Sequence, residues 1–440
     1  MLVGFLIILI IVCNILITKK VSTNIINPAV WLFMSWFMIT GLYFFSGITY
    51  SYKIKSETYI YIIIAMVLFY AFFTLGYFTK LARGGINFDM EENFSFHKRK
   101  YLCISGIGLV LYIFDVIRLN ALSIGLRNLS MNVSVIGTIG SFLVNASLFL
   151  WLYDLTYALY KNEKLMISSI LPLMIYLIPN IIVGGRQSFI IAFISSFCIY
   201  KFLIRRKKEY KYKKNMLYIF ITLLLTFFIY NTVVIQNRSQ NRDMNRHYQV
   251  ILKDKVSKET EEVVQKTGVF QDAVMQGLQY YSQEFVGFAM VYQEYDYRPF
   301  WGMYELHYIS RRLPSFLRLD FNLAREEIER ISLKQGTIAT LYRTALKDFI
   351  LDFGRIGALL ITALLGLFLG RSFRKFNSQP SIYRIILQAL FCSAAFFSVQ
   401  YSPFYETRWA FTFYWMLIIT FIESYLIKKR LKVDWRNRNK

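Results

Sequence analysis

No Walker A loop, no serine-centred nucleophile elbow, no HExxH and no Cys/His spacing suited to a metal occurs in the 440 residues. Nucleotide hydrolysis, ester hydrolysis by that device and zinc chemistry are therefore disfavoured. Cysteine is scarce: Cys13, Cys103, Cys198 and Cys392 are scattered through apolar runs without paired spacing. They read as small core residues, and neither a disulfide framework nor a zinc site is indicated. There is no internal repeat and no low-complexity tract, so the chain lacks the duplicated halves common in secondary carriers. Acidic residues are also few, 27 against 51 Lys and Arg, a formal charge of +24. Such a surplus would suit nucleic acid if it lay on a water-facing surface. Instead it sits in short clusters beside apolar runs: "HKRK" (97–100), "RRKKEYKYKK" (205–214) and "KKRLKVDWRNRNK" (428–440). That is the positive-inside pattern of a membrane protein, and no nucleic-acid partner is expected.

What the chain has in abundance is apolar residues, 56% of the total, with a mean hydropathy of +0.40. A helix needs about 20 mostly apolar residues to span the hydrocarbon, and such runs recur. The first run, 2–18, has no basic leader and no small-residue cleavage site, and Lys19 and Lys20 follow it. It reads as a retained helix rather than a signal peptide. The pattern predicts an all-α, polytopic integral membrane protein with about 11 transmembrane helices and one large extracytoplasmic helical loop. The predicted spans are 2–18, 27–47, 58–78, 101–118, 134–159, 165–183, 187–204, 215–235, 349–370, 383–400 and 408–427. The organisation is then helices one to eight over 1–235, an outer loop region over 236–348, three further helices over 349–427 and a basic cytoplasmic tail over 428–440.

The charge rule orients this layout. Lys19 and Lys20, the Lys80 to Lys100 loop, Lys161 with Lys164, the 205–214 cluster, Arg371 to Lys375 and the tail all fall on one side. That side is the cytoplasm, which puts the N-terminus outside. On the other side lie "ITYSYKIKSE", "RLNALSIGLRNLSMN", the "GGR" turn, 236–348 and "YSPFYETR", where basic excess is smaller. Within the long outer segment, 255–293 has helical periodicity, "FNLAREEIERISL" reads as a shorter amphipathic helix capped by Asn322, and the aromatic stretch between them (294–316) reads as a loop.

Arg186 interrupts "IIVGGRQSFIIAF". An arginine at mid-membrane costs about 2.5 to 3.5 kcal/mol on insertion scales, so the topology places it at the outer edge, in a turn that Gly184 and Gly185 allow to be tight. A snorkelling arginine that merely ends a helix is the plain alternative. Arg343 stands where the outer segment re-enters the membrane, Arg238, Arg242 and Arg246 leave the eighth helix on the same side, and Arg311 and Arg312 lie in the aromatic loop. Guanidiniums converging at one membrane face would suit a pyrophosphate, since each offers a planar fork of donors.

This layout resembles the O-antigen and capsule repeat-unit polymerases of the Wzy type. "GGRQS" is similar to that family's arginine turn, the Arg343-to-Gly354 spacing to its arginine-to-glycine pattern, and "LDFGRIGALL" to the aspartate-glycine helix start shared with the O-antigen ligases. The ligases place a histidine where Arg343 stands, and that departure favours a polymerase. The resemblance implies glycosyl transfer between two polyprenyl-diphosphate-linked oligosaccharides at the outer face of a bacterial cytoplasmic (inner) membrane. Membrane lipids, a chain-length regulator and a flippase are the further partners it implies.

In that chemistry Arg186 and Arg343 would stabilise the leaving diphosphate, with Arg238, Arg311 and Arg312 in support. Candidates to accept or orient the acceptor's proton are His307, Asp348, Asp352, Glu284 and Glu406. Asp352 reads equally well as a helix cap, and His307 as an ordinary loop histidine. Tyr281, Trp301 and Tyr304 lead a cluster of aromatics that could stack on sugars or simply form an interfacial belt. "ITYSYKIKSE" lacks the acidic pair of dolichol-type transferases, so metal-independent transfer without a cofactor is expected. Two other readings stay open: a lipid-linked-glycan flippase or secondary transporter, for which Asp154, Glu423 and the Pro172/Pro179 helix are the relevant features, and an O-antigen ligase.

Overall fold

A computed structural model describes residues 7, 9–16, 26–50, 52–79, 94–119, 134–183, 185–206, 213–240, 255–296, 299–306, 308, 330–331 and 344–438. The chain is all-α apart from one pair of two-residue strands among the described residues. Eight helices in these residues are long and apolar enough to cross a membrane, which makes the chain a polytopic membrane protein. Two further expected spans are shorter, Ile167–Ile182 and Ile382–Phe397. The first opens on a 3₁₀ turn and carries Pro179 inside its helix. The second stops where the Ser398 hydroxyl bonds back to the Ala395 carbonyl at 2.7 Å. Of the expected first span, only residues 7 and 9–16 are described, as helix.

The chain folds as two units. The first comprises 1–79, 228–374 and 391–406. It contains α1 (Pro28–Phe45), β1 (Ile48–Thr49) and α2 (Ser56–Phe78). The Asn27 side chain accepts from the Ala29 amide at 3.0 Å ahead of Pro28, so both favoured signals for a helix start lie at α1. β1 pairs antiparallel with β2 (Lys255–Val256), Ile48 facing Val256. Beyond β2 the helical pattern expected to run unbroken through 255–293 divides into two helices. Gly268, with φ +56°, separates Lys258–Gln265 from Gln271–Glu294. The longer of these buries Phe285, Val286, Phe288 and Ala289, and Phe285 stacks on Tyr43 of α1 at 5.0 Å. The described residues of 236–348 thus fall in one compact unit with α1 and α2. The predicted loop 294–316 is non-helical through 295–296 and 299–306; "FNLAREEIERISL" is described only at 330–331, as helix.

The last long helix of this unit runs from Ala345 to Ser378 and lies against α2 without intervening side chains. A Cβ at Gly370 would fall 2.0 Å from the Phe73 carbonyl oxygen, one at Gly366 2.4 Å from that of Phe69, and one at Gly76 2.2 Å from that of Leu367. Small residues let membrane helices approach backbone to backbone. Because the obstacle is main chain, Gly370→Val should force the helices apart and cost about 1 to 3 kcal/mol. Thermal unfolding in detergent would register it as a lowered midpoint, and an unchanged midpoint would refute the contact.

The second unit comprises 80–227, 375–390 and 407–440. It holds the helices Phe94–Arg118, Val135–Val144, Ala146–Lys161, Ile170–Ile182 and Gln187–Arg206, and Thr407–Arg438, which continues helically through most of the basic tail. The span expected over 134–159 is present as Val135–Lys161, and Asn145, where the helical bonding is interrupted, keeps right-handed helical backbone angles. Tryptophans tie the unit together through their indole N–H groups: Trp151 to Ser196 at 2.8 Å, Trp409 to the Leu390 carbonyl at 2.9 Å and Trp415 to the Phe142 carbonyl at 2.7 Å.

Within each unit, side chains at the helix ends reach across to neighbouring segments. Arg374 donates to the Tyr77 carbonyl at 3.2 Å at one end of the first unit, while the 46–49 and 255–260 segments join at the other, Thr260 Oγ1 donating to the Ser46 carbonyl at 2.7 Å. In the second unit Lys98 pairs with Asp154, and Tyr101 donates to Glu423 at 3.0 Å. At the opposite end of that same helix, the Ser134 amide donates to Asp115 at 3.2 Å.

Candidate functional site

The site of the first unit is organised by a break in the helix Ala345–Ser378. Gly354 takes φ +71° and ψ 176° in mid-helix, a conformation open to glycine and strained for residues with a Cβ. The break frees carbonyls that would otherwise bond along the helix. Leu351 O then accepts from the Phe300 amide at 3.1 Å and Asp352 O from the Trp301 amide at 2.7 Å. The Asp352 carboxylate completes the attachment, Oδ1 accepting from Tyr304 N at 2.9 Å and Oδ2 from Glu305 N at 2.8 Å. The amides that Asp352 holds are not those of the helix its sequence reading would have it cap; they belong to a distant segment, and the carboxylate anchors that turn.

The anchored turn presents Trp301 in a left-handed conformation, φ +54°, with 72% of its surface exposed. A non-glycine residue held there by its neighbours is a strained position of the kind found at ligand sites. Tyr304, by contrast, is buried and stacks on Tyr405 at 5.1 Å. Tyr281 lies half-buried on Gln271–Glu294, edge-on to Tyr280 at 5.4 Å. Of the three predicted sugar-stacking residues, only Trp301 offers an open face.

Behind the turn lie three buried acids. Asp348 and Asp352 are fully buried and Glu305 is 5% exposed. Asp348 Oδ2 accepts from the Ser402 amide at 2.9 Å, while neither oxygen of Glu305 has a hydrogen-bond partner. Burial pushes the Glu305 carboxyl well above the ordinary carboxylate range, and the charges of Asp348 and Asp352 push the same way. Ser402 and the Tyr405 main chain are near enough to oppose this without completing a hydrogen bond to it. Of the remaining acid candidates, Glu284 is buried and Glu406 half-buried. Among the described residues no three of the His, Cys, Asp and Glu side chains are placed to share a metal ion.

Arg186 belongs to the second unit. It is half-buried immediately before Gln187–Arg206. Gly185 shapes the turn: its amide donates to the Asn180 carbonyl at 2.7 Å. A Cβ there would come within 2.9 Å of Asn180 Oδ1 and 3.1 Å of Arg408 Nη2. Arg408 in turn donates to Gln187 Oε1 at 2.7 Å. The Arg408 guanidinium thus lies at the turn that carries Arg186, ahead of a helix N-terminus whose peptide dipoles add to its positive field. Arg408 escaped the sequence reading because it is a lone basic residue in "YSPFYETR". Arg355 escaped it too, because "LDFGRIGALL" was read for its aspartate and glycine. Its guanidinium lies 5.2 Å over the Tyr292 ring, and its carbonyl accepts from Tyr61 at 2.7 Å.

Arg343, His307, Arg311, Arg312, Arg242 and Arg246 lie outside the described residues. Arg238 lies on the helix Lys213–Gln240, with its side chain outside the described set. No protein-family model matches the chain, and neither a curated protein nor a solved structure is significantly similar to it. The likeness to Wzy-type polymerases accordingly stands on layout and three short motifs.

Proposed function

We propose that the protein is a membrane glycosyltransferase that polymerises polyprenyl-diphosphate-linked oligosaccharide repeat units into a surface polysaccharide, O-antigen or capsule. Catalysis takes place without a metal at the outer face of a bacterial cytoplasmic membrane, with the N-terminus outside and the basic tail inside. The observation that carries the reading is the seating of the Arg408 guanidinium at the glycine-shaped turn that carries Arg186, ahead of Gln187–Arg206. An acceptor hydroxyl attacks the donor's anomeric carbon, the bond from that carbon to the diphosphate oxygen breaks, and the diphosphate departs with the electron pair while the hydroxyl's proton passes to the departing diphosphate. Fixed guanidiniums aimed at that growing charge lower the barrier. In the first unit, considered by itself, Trp301 has an exposed aromatic face of the kind that stacks on a sugar ring.

Purified protein given lipid-diphosphate repeat units in the presence of a chelator should produce a ladder of lengthened glycans. Absence of any ladder, with properly inserted protein, counts against the proposal. A carrier of lipid-linked glycans is the second reading, favoured by the Gly354 break, since carriers build substrate sites from interrupted helices. Cells lacking the protein separate the two. Loss of a polymerase leaves single repeat units at the surface, whereas loss of a carrier leaves none.

A further inference from the structure

Glu305 is the group that neither glycosyl transfer nor packing uses. An ionised carboxylate withdrawn from water with both oxygens unpaired would cost several kcal/mol, and two carboxylates close together resist being charged at once. Glu305 meets both conditions: it is 5% exposed, neither oxygen is bonded, and Asp348 and Asp352 stand near it. Asp352 has committed both oxygens to the amides of Tyr304 and Glu305. The groups acting on Glu305 are therefore Asp348 and Asp352 from the broken helix and Ser402 and Tyr405 from the segment after Phe397. Lys347 is buried one residue ahead of Asp348, and it is not among the groups that shift the Glu305 carboxyl.

We propose that Glu305 is a proton-binding site, held neutral beside Asp348 and Asp352, and that its proton latches the 299–306 turn to the helix break at Gly354. The inference stands apart from the glycosyl-transfer reading. With the proton bound, the turn keeps its four backbone attachments beside a neutral acid. Losing it places negative charge on all three acids in one dry space, and the turn that carries Glu305 is the part free to leave. The sign follows from the raised affinity for the proton. The folded state binds more protons than the unfolded one from about pH 4.5 upward, so stability falls with rising pH until the folded carboxyl has itself ionised, then levels.

The test uses full-length protein in lipid nanodiscs. Infrared spectra at neutral pH should contain the carbonyl stretch of a protonated carboxylic acid, lost in Glu305→Gln. In a background with the four native cysteines replaced, Met303→Cys should react faster with a maleimide as pH rises. Adding Glu305→Gln should remove that dependence after correction for the thiol's own ionisation. Glu305→Gln should also be at least as stable as the parent at neutral pH, because an amide resembles the neutral acid. A missing infrared band, pH-independent labelling of the parent turn, or an unstable Glu305→Gln would each overturn the latch.

Discussion

Asp352→Ala should destabilise the first unit by about 3 to 5 kcal/mol, because two hydrogen bonds to a charged acceptor are lost and two amides are left orphaned. The amides are those of Tyr304 and Glu305, at 2.9 and 2.8 Å from the carboxylate oxygens. Alanine fills none of that space and accepts nothing. Asp352→Asn should fall between alanine and the parent, since it keeps one acceptor oxygen and turns an amino group toward an amide that is itself a donor. Thermal unfolding in nanodiscs, followed alongside protease cleavage within 299–306, reads both. If Asp352 instead serves as the proton acceptor of the reaction, its alanine variant would unfold at the parental temperature while losing turnover. The two roles therefore give opposite patterns of stability and activity.

Arg186→Ala should lower the rate of chain extension about 100- to 1000-fold, the usual consequence of removing one fixed donor aimed at developing negative charge. Arg408→Ala should do the same, since its guanidinium lies at the Gly185 turn from which Arg186 follows. Arg186→Lys keeps the charge but loses the planar fork, and recovery should be partial. Quantifying the ladder per mole of inserted protein separates these losses from failed insertion. Arg343→Ala tests whether the outer arginine of the family-like spacing shares the work. Normal ladders from Arg186→Ala and Arg408→Ala together would remove the anion-binding turn from the mechanism.

The membrane helices were legible because a span writes itself as about 20 contiguous apolar residues. Their interruptions were less so. Gly268 breaks a helical pattern whose hydrophobic spacing continues straight through it, and only local backbone geometry reveals the stop. Arg186 and Trp301 stood out because each is conspicuous in its own short stretch of chain. The acid cluster did not, because Glu305, Asp348 and Ser402 become neighbours only through tertiary folding, and no local spacing encodes that. Arg408 was hidden for the same reason: its partner turn lies more than two hundred residues earlier.

The attachment of the 299–306 turn also constrains the order in which the protein can be built. The amides of Phe300, Trp301, Tyr304 and Glu305 find their acceptors at Leu351 and Asp352. Those acceptors leave the ribosome about fifty residues later, which at typical synthesis rates is a wait of several seconds. During that interval the turn must keep its polar backbone hydrated, so it has to be delivered to an aqueous compartment before the helix that receives it enters the bilayer.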